Sequence, residues 1–344
     1  MRRIVFGFFW VFLLVPGVVR AEDPVALALR VAEDAVIPGY DALAAATAEQ
    51  VTVWQTMCAE KQGDGLARLR SAYQKVADGW AGVYFWQFGP IEGFLRKDRF
   101  YHWPERRNAT AKGVGQLLAN ADPAVLEADR FAKTSVAAQG LPALERLLFG
   151  KDSVLNSDRA CALGTAIAVN LDRIAQGTAA DWRSEILPAL KANQGHDYYF
   201  EAPEEVINRL VTDILTGFTI IKDQKLLPVM GPSLDKARPK KAEAWRSGRP
   251  LRNIRANVAS LFKAAAVVGR DLPAEDLARL QTLQEAVLAA LTTGDDLAAM
   301  VADPARRADL TAFLQSLDAY RASLIDSLTT HLGISVGFNS LDGD

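Results

Sequence analysis

Residues 24–61 read PVALALRVAEDAVIPGYDALAAATAEQVTVWQTMCAEK, and this Ala-rich stretch decides the fold. Its apolar residues recur every three or four positions, which is the period of one face of an α-helix. Pro38 and Gly39 predict a kink inside the stretch, because proline lacks the amide proton that an interior helical turn uses. The stretch is therefore predicted to be a long, kinked helix that packs against other helices.

The helical period continues outward along most of the chain. In residues 65–88, GLARLRSAYQKVADGWAGVYFWQF, the apolar side chains fall on one face. No run alternates between apolar and polar residues before a hairpin turn, so strands are not predicted. The fold class is therefore all-α, built from helical bundles. Further helices are predicted over residues 106–120, 134–149, 158–176, 203–227, 250–269, 274–292 and 306–331.

Two irregular stretches suggest how the helices are organised. AQGTAADW, residues 175–182, predicts a break between two helical-bundle domains that pack side by side, residues 22–177 and 178–344. A second stretch, residues 226–250, holds four prolines and several basic residues. It predicts a long connection over the surface, and connections of this length often carry function.

The first 21 residues resemble a secretory signal peptide. Arg2 and Arg3 precede the apolar run IVFGFFWVFLLV, and Val19 and Ala21 are small residues at a cleavage position. We therefore expect a periplasmic protein with no membrane span after cleavage, and the alternative is an uncleaved anchor. No cysteine follows the run to accept a lipid. With a net charge of −2, nothing suggests a nucleic-acid-binding surface, which would need a basic excess.

The chain has two cysteines, Cys58 and Cys161. An even pair in an exported protein predicts a disulfide. Closing a loop of about 100 residues stabilises the fold by about 4–5 kcal/mol in the chain-entropy model. The alternative, a metal site, has less support because structural zinc takes four ligands.

Five phrases together resemble the imelysin family, and more closely the bacterial imelysin-like periplasmic proteins. The phrases are FGPIE (88–92), WPERRN (103–108), VAAQGLPALERLLFG (136–150), WRSGRPLRNIRAN (245–257) and GFNSLDGD (337–344). The resemblance implies an all-helical, two-bundle protein of the bacterial envelope. It also implies a link to iron acquisition, since one branch of the family serves ferrous-iron uptake, and some members are called peptidases.

The family's Gly-x-His-x-x-Glu signature maps onto residues 140–145, but Pro142 replaces the histidine. A histidine and a glutamate three residues apart on a helix can coordinate one metal ion, whereas the proline side chain has no donor atom for a metal. Pro142 instead favours a helix start. Glu145 remains a candidate metal ligand, or else a structural ion-pair or capping partner. The enzymatic assignment is left open, and the missing histidine favours a protein that is not an enzyme.

Other residues are candidates for binding a ligand. Arginine binds carboxylate and phosphate with two parallel hydrogen bonds, and aromatic rings wall pockets for flat ligands. The alternatives are that the arginines pair with acidic residues, that the aromatic rings are core, and that the C-terminal tail is a frayed end. The predicted binding residues are Glu145, Arg107, Trp103, Trp86, Arg246, Arg249, Arg252, Asn339 and Asp342.

The sequence and the resemblance together predict a ligand-binding component of iron acquisition. Its ligand would be iron, haem or another small anionic iron-containing molecule held between the two bundles, and its partners would be envelope iron-uptake proteins. One alternative is a metallopeptidase in which His102 or His196 replaces the missing ligand. Another is a non-catalytic structural or partner-binding protein of the envelope.

Overall fold

The computed structural model describes residues 23–61, 63–150, 154–291 and 296–334. These residues form helices and no strands, which confirms the all-α prediction. Within these ranges, no helix combines the length and the apolar content needed to cross a membrane. The predicted signal segment, residues 1–21, and the tail residues Asn339 and Asp342 lie outside the described residues.

Nine α-helices lie in the described residues up to 191. A disulfide joins Cys58 to Cys161 across a Cα–Cα distance of 5.7 Å, as predicted. It links the second and eighth helices, which pack along each other. The helices are α1 (Pro24–Val31), α2 (Ile37–Glu60), α3 (Gly65–Val83), α4 (Arg96–Phe100), α5 (Ala109–Ala119), α6 (Ala128–Phe131), α7 (Leu141–Leu148), α8 (Asp158–Asp181) and α9 (Leu187–Lys191).

Six further helices occupy the described residues from 205 onward. Helix α1, the first in the described residues, packs against two of them, α10 and α12, so the start of the described fold contacts the C-terminal half. The longest helix, α15, packs along α13. The helices are α10 (Glu205–Ile220), α11 (Leu227–Met230), α12 (Pro250–Val268), α13 (Ala274–Ala290), α14 (Leu297–Ala302) and α15 (Pro304–Leu332).

Three prolines lie in the same backbone arrangement. Pro38, Pro188 and Pro228 each stand at the second position of a helix, directly after a π-helical turn. A proline ring clashes with the carbonyl four residues earlier, and in each case that carbonyl lies inside the wider π turn. The turn therefore lets the helical path continue past the proline.

The break predicted at residues 175–182 is wrong, because α8 runs through it. The helix continues to Asp181 and then through the π turn Trp182–Ile186 into α9. Gly177 lies on the packed face of α8, where an added Cβ would stand 3.3 Å from Nη2 of Arg96. Glycine there leaves room for a neighbouring side chain rather than ending the helix. The proposed boundary at 177/178 lies inside α8, and the two-bundle division stays a prediction.

Candidate functional site

A cavity of about 550 Å³ lies where three of the motif-bearing segments meet. Its walls come from the chain between α4 and α5, from the start of α7, and from the proline-rich connection after α10. We call it the central cleft and define it by four of its lining residues, Trp103, Glu145, Trp245 and Arg246. The predicted surface connection therefore forms one wall of a cavity.

The degenerate motif, residues 140–145, lies at the edge of this cleft. Gly140 precedes α7 and Pro142 lies in the first turn, as the sequence predicted. A Cβ on Gly140 would stand 2.3 Å from the carbonyl oxygen of Phe100 and 2.8 Å from that of Arg99. No larger residue fits without moving that backbone. Gly140 is therefore needed for packing whether or not the motif binds metal.

Glu145 is buried at the base of the cleft, with 4% of its surface exposed. Its Oε1 accepts hydrogen bonds from the backbone N–H and the hydroxyl of Ser247, each at 2.9 Å. Burial raises the pKa of the Glu145 carboxyl, although the bonds from Ser247 and the charge of Arg246 oppose the rise. Glu145 thus fixes the short 3₁₀ turn Trp245–Ser247 against α7.

The residues present do not fit the metal site that the family signature implies. Pro142 supplies no donor, and Oε1 of Glu145 already accepts two hydrogen bonds. In the part of the chain that the structure describes, no group of three His, Cys, Asp or Glu residues is placed to hold a metal ion. His102 lines the central cleft, whereas His196 lies apart, with Nε2 3.6 Å from Glu185.

Only one of the three predicted arginines of WRSGRPLR reaches the cleft. Arg246 lines it, with its guanidinium 4.3 Å from the Trp245 ring centroid, a cation–π contact. Arg249 is 1% exposed and lies 2.6 Å from Asp78. Arg252 also pairs with Asp78. Arg249 and Arg252 therefore join α12 to α3 as ion-pair partners, which was the alternative weighed for them.

Of the other three predicted binding residues in the described part of the chain, one lines the central cleft and two do not. Trp103 lines the central cleft. Trp86 is fully buried against Phe85, with ring centroids 4.4 Å apart, and it lies in the core rather than in the cleft. Arg107 is exposed, with φ +55°, and it does not line the cleft.

Three polar contacts that the sequence did not reveal hold the cleft together. Arg146, next to Glu145, donates to Oε1 of Glu105 at 2.8 Å and to Oδ1 of Asn108 at 2.7 Å. Oε2 of Glu105 accepts from the backbone N–H of Thr110 at 2.7 Å. Burial tends to raise the pKa of the Glu105 carboxyl, but the bonds to Thr110 and Arg146 outweigh it and lower the pKa. WPERRN is thereby fastened to α7.

A smaller cavity of about 140 Å³ adjoins the central cleft and shares Tyr101, Trp103 and Gln224 with it. It ends at a buried ion pair, in which Nζ of Lys225 lies 2.8 Å from Glu243. The same Nζ donates to Oδ1 of Asn257 at 2.6 Å. Burial lowers the pKa of the Lys225 amine, and the Glu243 carboxylate opposes that shift. Sequence spacing could not reveal this pair, because Lys225 lies in the π turn Ile221–Leu226 and Glu243 lies in the irregular connection that follows it.

Two solved structures share the fold of this chain. The chain superposes on the crystal structure of an imelysin-like protein from Psychrobacter arcticum 273-4 with a TM-score of 0.77, at 24% identity, over 93% of this chain and 98% of that one. It also superposes on a "putative iron-regulated protein A precursor" from Parabacteroides distasonis ATCC 8503 with a TM-score of 0.71, at 14% identity, over 92% and 97% of the two chains.

Among curated proteins, no sequence matches the chain. The sequence model of one family, described as Imelysin, matches residues 36–324. That range includes the degenerate motif, all of the described residues of the central cleft and most of the helices. The protein therefore belongs to the imelysin family.

Proposed function

We propose that this imelysin-family protein is exported to the periplasm and binds an anionic, iron-containing ligand in the central cleft, as a component of iron acquisition. The observation that carries the proposal is the lining of the cleft, which combines cationic side chains with aromatic rings. Membership of the family and the name "iron-regulated" on a structural neighbour favour iron as the cargo.

The charges of the cleft favour an anion. Lys240 and Lys241 are exposed at its rim, and Arg246 lies half-buried beside them. Of the three acidic residues in the lining, Glu105 is paired with Arg146, and burial raises the pKa of the Glu145 carboxyl. The exposed Asp223 therefore stands against these three cations. A positive field in a concave site concentrates anions, and arginine binds carboxylates with two hydrogen bonds.

The shape and the rings suit a small organic anion. A volume of about 550 Å³ falls within the range of roughly 300–1,000 Å³ that is typical of small-molecule sites. Tyr101, Trp103 and Trp245 provide apolar faces beside the cations. A ferric chelate such as ferric citrate, or haem with its propionates, offers both the negative charge and the organic surface that this lining fits.

A second candidate function, metallopeptidase, is favoured by one observation. His102 lines the same cleft as Glu145, so an imidazole and a carboxylate face one cavity despite the loss of the motif histidine. This function requires bound zinc and peptide cleavage. Both can be measured on the same protein preparation.

Calorimetric titration of the chain with ferric citrate and with haem tests the proposal. We expect saturable binding of at least one of them, weakened roughly 10- to 100-fold in Arg246→Gln, since a hydrogen bond to a charged group contributes about 1.5–3 kcal/mol. Arg238→Gln is the matched control, because Arg238 is an exposed arginine of the same connection that does not line the cleft. Binding of neither ligand, or equal weakening in both variants, would contradict the proposal.

A further inference from the structure

A second cationic cavity lies apart from the central cleft. It has a volume of about 290 Å³ and is lined by Phe94, Arg96, Arg99, Ala132, Arg173 and Ile174. Two of the arginines come from α4 and the third from α8, so the fold brings three guanidinium groups to one cavity. We call it the arginine cleft.

The central arginine of this cavity is held by neutral groups. Arg99 donates from Nε to Oε1 of Gln139 at 2.9 Å and from Nη2 to Oδ1 of Asn170 at 2.6 Å. Gln139 is fully buried and Asn170 is 5% exposed. Two buried carboxamides therefore orient one guanidinium, and neither neutralises its charge.

The orientation of both carboxamides is fixed by the backbone. Nε2 of Gln139 donates to the carbonyl oxygens of Ala132 and Thr134, at 3.3 and 2.7 Å. Nδ2 of Asn170 donates to the carbonyl oxygen of Gln139 at 3.1 Å. Because the amide nitrogens are engaged with carbonyls, the amide oxygens must face Arg99. The guanidinium is thus positioned before any ligand arrives.

The charges of the cavity do not cancel. Arg96 pairs with Asp181 at 2.6 Å, and Arg173 pairs with Asp129 at 3.1 Å. Among the described residues, no carboxylate pairs with Arg99. Burial lowers the pKa of the Arg99 guanidinium, and the neighbouring Arg173 and Arg96 lower it further. Three cations with two anions leave one positive charge at the cavity.

An exposed apolar group stands beside these cations. Phe94 is 77% exposed and its ring lies 5.8 Å from the Arg96 guanidinium. Phe94 and Leu95 both have φ +56°, a left-handed backbone that costs roughly 1–2 kcal/mol per residue when the residue is not glycine. The fold keeps this costly conformation while leaving the Phe94 ring in solvent beside the cavity.

We propose that the arginine cleft binds a small oxyanion, the carboxylate or phosphate group of a soluble ligand, with Arg99 as its central contact. Arg173 contributes a second guanidinium, since its partner Asp129 is largely exposed and can release it. The Phe94 ring covers the organic part of the ligand. The site is separate from the central cleft and does not depend on iron binding there.

Calorimetric titration with inorganic phosphate and with citrate tests this site, using the Arg246→Gln chain so that the central cleft does not dominate the signal. We expect saturable binding of at least one probe, and the tighter of the two identifies phosphate or carboxylate as the preferred group. Arg173→Gln is expected to weaken it about tenfold. Arg99→Lys is expected to weaken it similarly, because lysine keeps the charge but loses the planar pair of donors.

Arg270→Gln is the matched control, because Arg270 is an exposed arginine paired with one aspartate, Asp34, outside the arginine cleft. It should leave binding unchanged, and thermal melting should show that all variants are folded. Saturable binding of neither probe would overturn the proposal. Equal weakening by Arg270→Gln would also overturn it, since that result means general attraction of anions to the surface.

Discussion

The backbone N–H and the hydroxyl of Ser247 both donate to Oε1 of Glu145, each at 2.9 Å, although the two residues lie 102 positions apart. This contact connects two of the five segments whose sequences resemble the imelysin family. It fastens the proline-rich connection to α7 and so closes one wall of the central cleft. In this chain, Pro142 replaces the motif histidine, and the retained glutamate has a structural partner in Ser247.

Ser247→Ala should therefore destabilise the fold by about 1 kcal/mol, because it removes the hydroxyl donor and leaves the backbone donor in place. Ser233→Ala is the control, since Ser233 lies in the same connection and its hydroxyl bonds only to the exposed Asp235. The free energies of unfolding come from urea titration. Equal effects of the two substitutions would contradict a structural role for the Glu145 contact.

Asp213 should make stability fall as the pH rises. Its Oδ2 accepts from the backbone N–H groups of Gln87 and Phe88 at 2.8 Å, yet burial raises its pKa to about 7. Between its ordinary value and about 7, the folded protein keeps a proton that the unfolded chain releases. The free energy of unfolding should then fall by up to about 1.4 kcal/mol per pH unit, and level off above about pH 7.

Asp213→Asn removes this titration and keeps an acceptor oxygen. The stability of the variant relative to the unsubstituted chain should therefore rise from about pH 4 to about pH 7. Denaturant titrations across this range give both curves. A difference that stays constant with pH would show that the Asp213 carboxyl is not protonated in the folded protein.

Gly164 should not tolerate a side chain. It lies in α8, and an added Cβ would stand 2.0 Å from the ring of Trp54, which is fully buried. Gly164→Ala should destabilise the fold by about 1–3 kcal/mol, as overpacked cores do. Gly82→Ala is the matched control in α3, where nothing lies within 4 Å of the added Cβ. That substitution should stabilise the fold by roughly 0.5–1 kcal/mol.

Thermal melts of these two glycine variants check the prediction. Melting temperatures that move in opposite directions would agree with the packing of α2 on α8. A Gly164→Ala variant as stable as the unsubstituted chain would mean that Trp54 can move aside, and that the close approach of the two helices is not required.

Removing one partner of the buried ion pair between Lys225 and Glu243 should strongly lower the free energy of unfolding. Lys225→Met leaves Glu243 buried without its cation and should cost about 3–5 kcal/mol. Adding Glu243→Gln should recover part of that loss. Lys222→Met is the control from the same π turn, because Lys222 pairs at the surface with Asp318 and should cost less than about 1 kcal/mol.

Urea unfolding of the three variants tests this prediction. If Lys225→Met and Lys222→Met have the same small effect, the amine of Lys225 is not an essential partner of Glu243. If the double variant is no more stable than Lys225→Met, the loss comes from the other contacts of Nζ, with Asn257 and with the Tyr84 ring, whose centroid lies 4.1 Å away, rather than from the uncompensated charge of Glu243.

Much of the fold was predictable from the sequence because helical periodicity is local. The predicted helix over residues 306–331 is α15 (Pro304–Leu332), and Asp303 caps it by accepting from the N–H groups of Ala305 and Arg306. The predicted break at residues 175–182 failed, because glycine and alanine mark either a loop or a closely packed helix. Only the tertiary neighbour, Arg96 beside Gly177, decides between the two.

The candidate site was predictable only in part, because some of its candidate residues have partners that are distant in the sequence. The sequence named Glu145, Trp103 and Arg246 as candidate binding residues, and all three line the central cleft, whereas their binding of a ligand stays a prediction. The regular spacing of Arg249 and Arg252 gave no sign of their partner, Asp78, because it lies more than 170 residues away in the sequence. Trp86 belongs to the core, and composition alone does not distinguish a buried ring from a pocket wall.

Native mass spectrometry of the protein, exported to a bacterial periplasm and purified without chelator, tests the central claim most directly. The same spectrum reports cleavage of the signal segment and the mass of any retained ligand. We expect one equivalent of an iron chelate or haem, lost in Arg246→Gln and kept in Arg238→Gln. Protein that stays bare after incubation with ferric citrate and haem would contradict the account, and bound zinc in their place would favour the metallopeptidase.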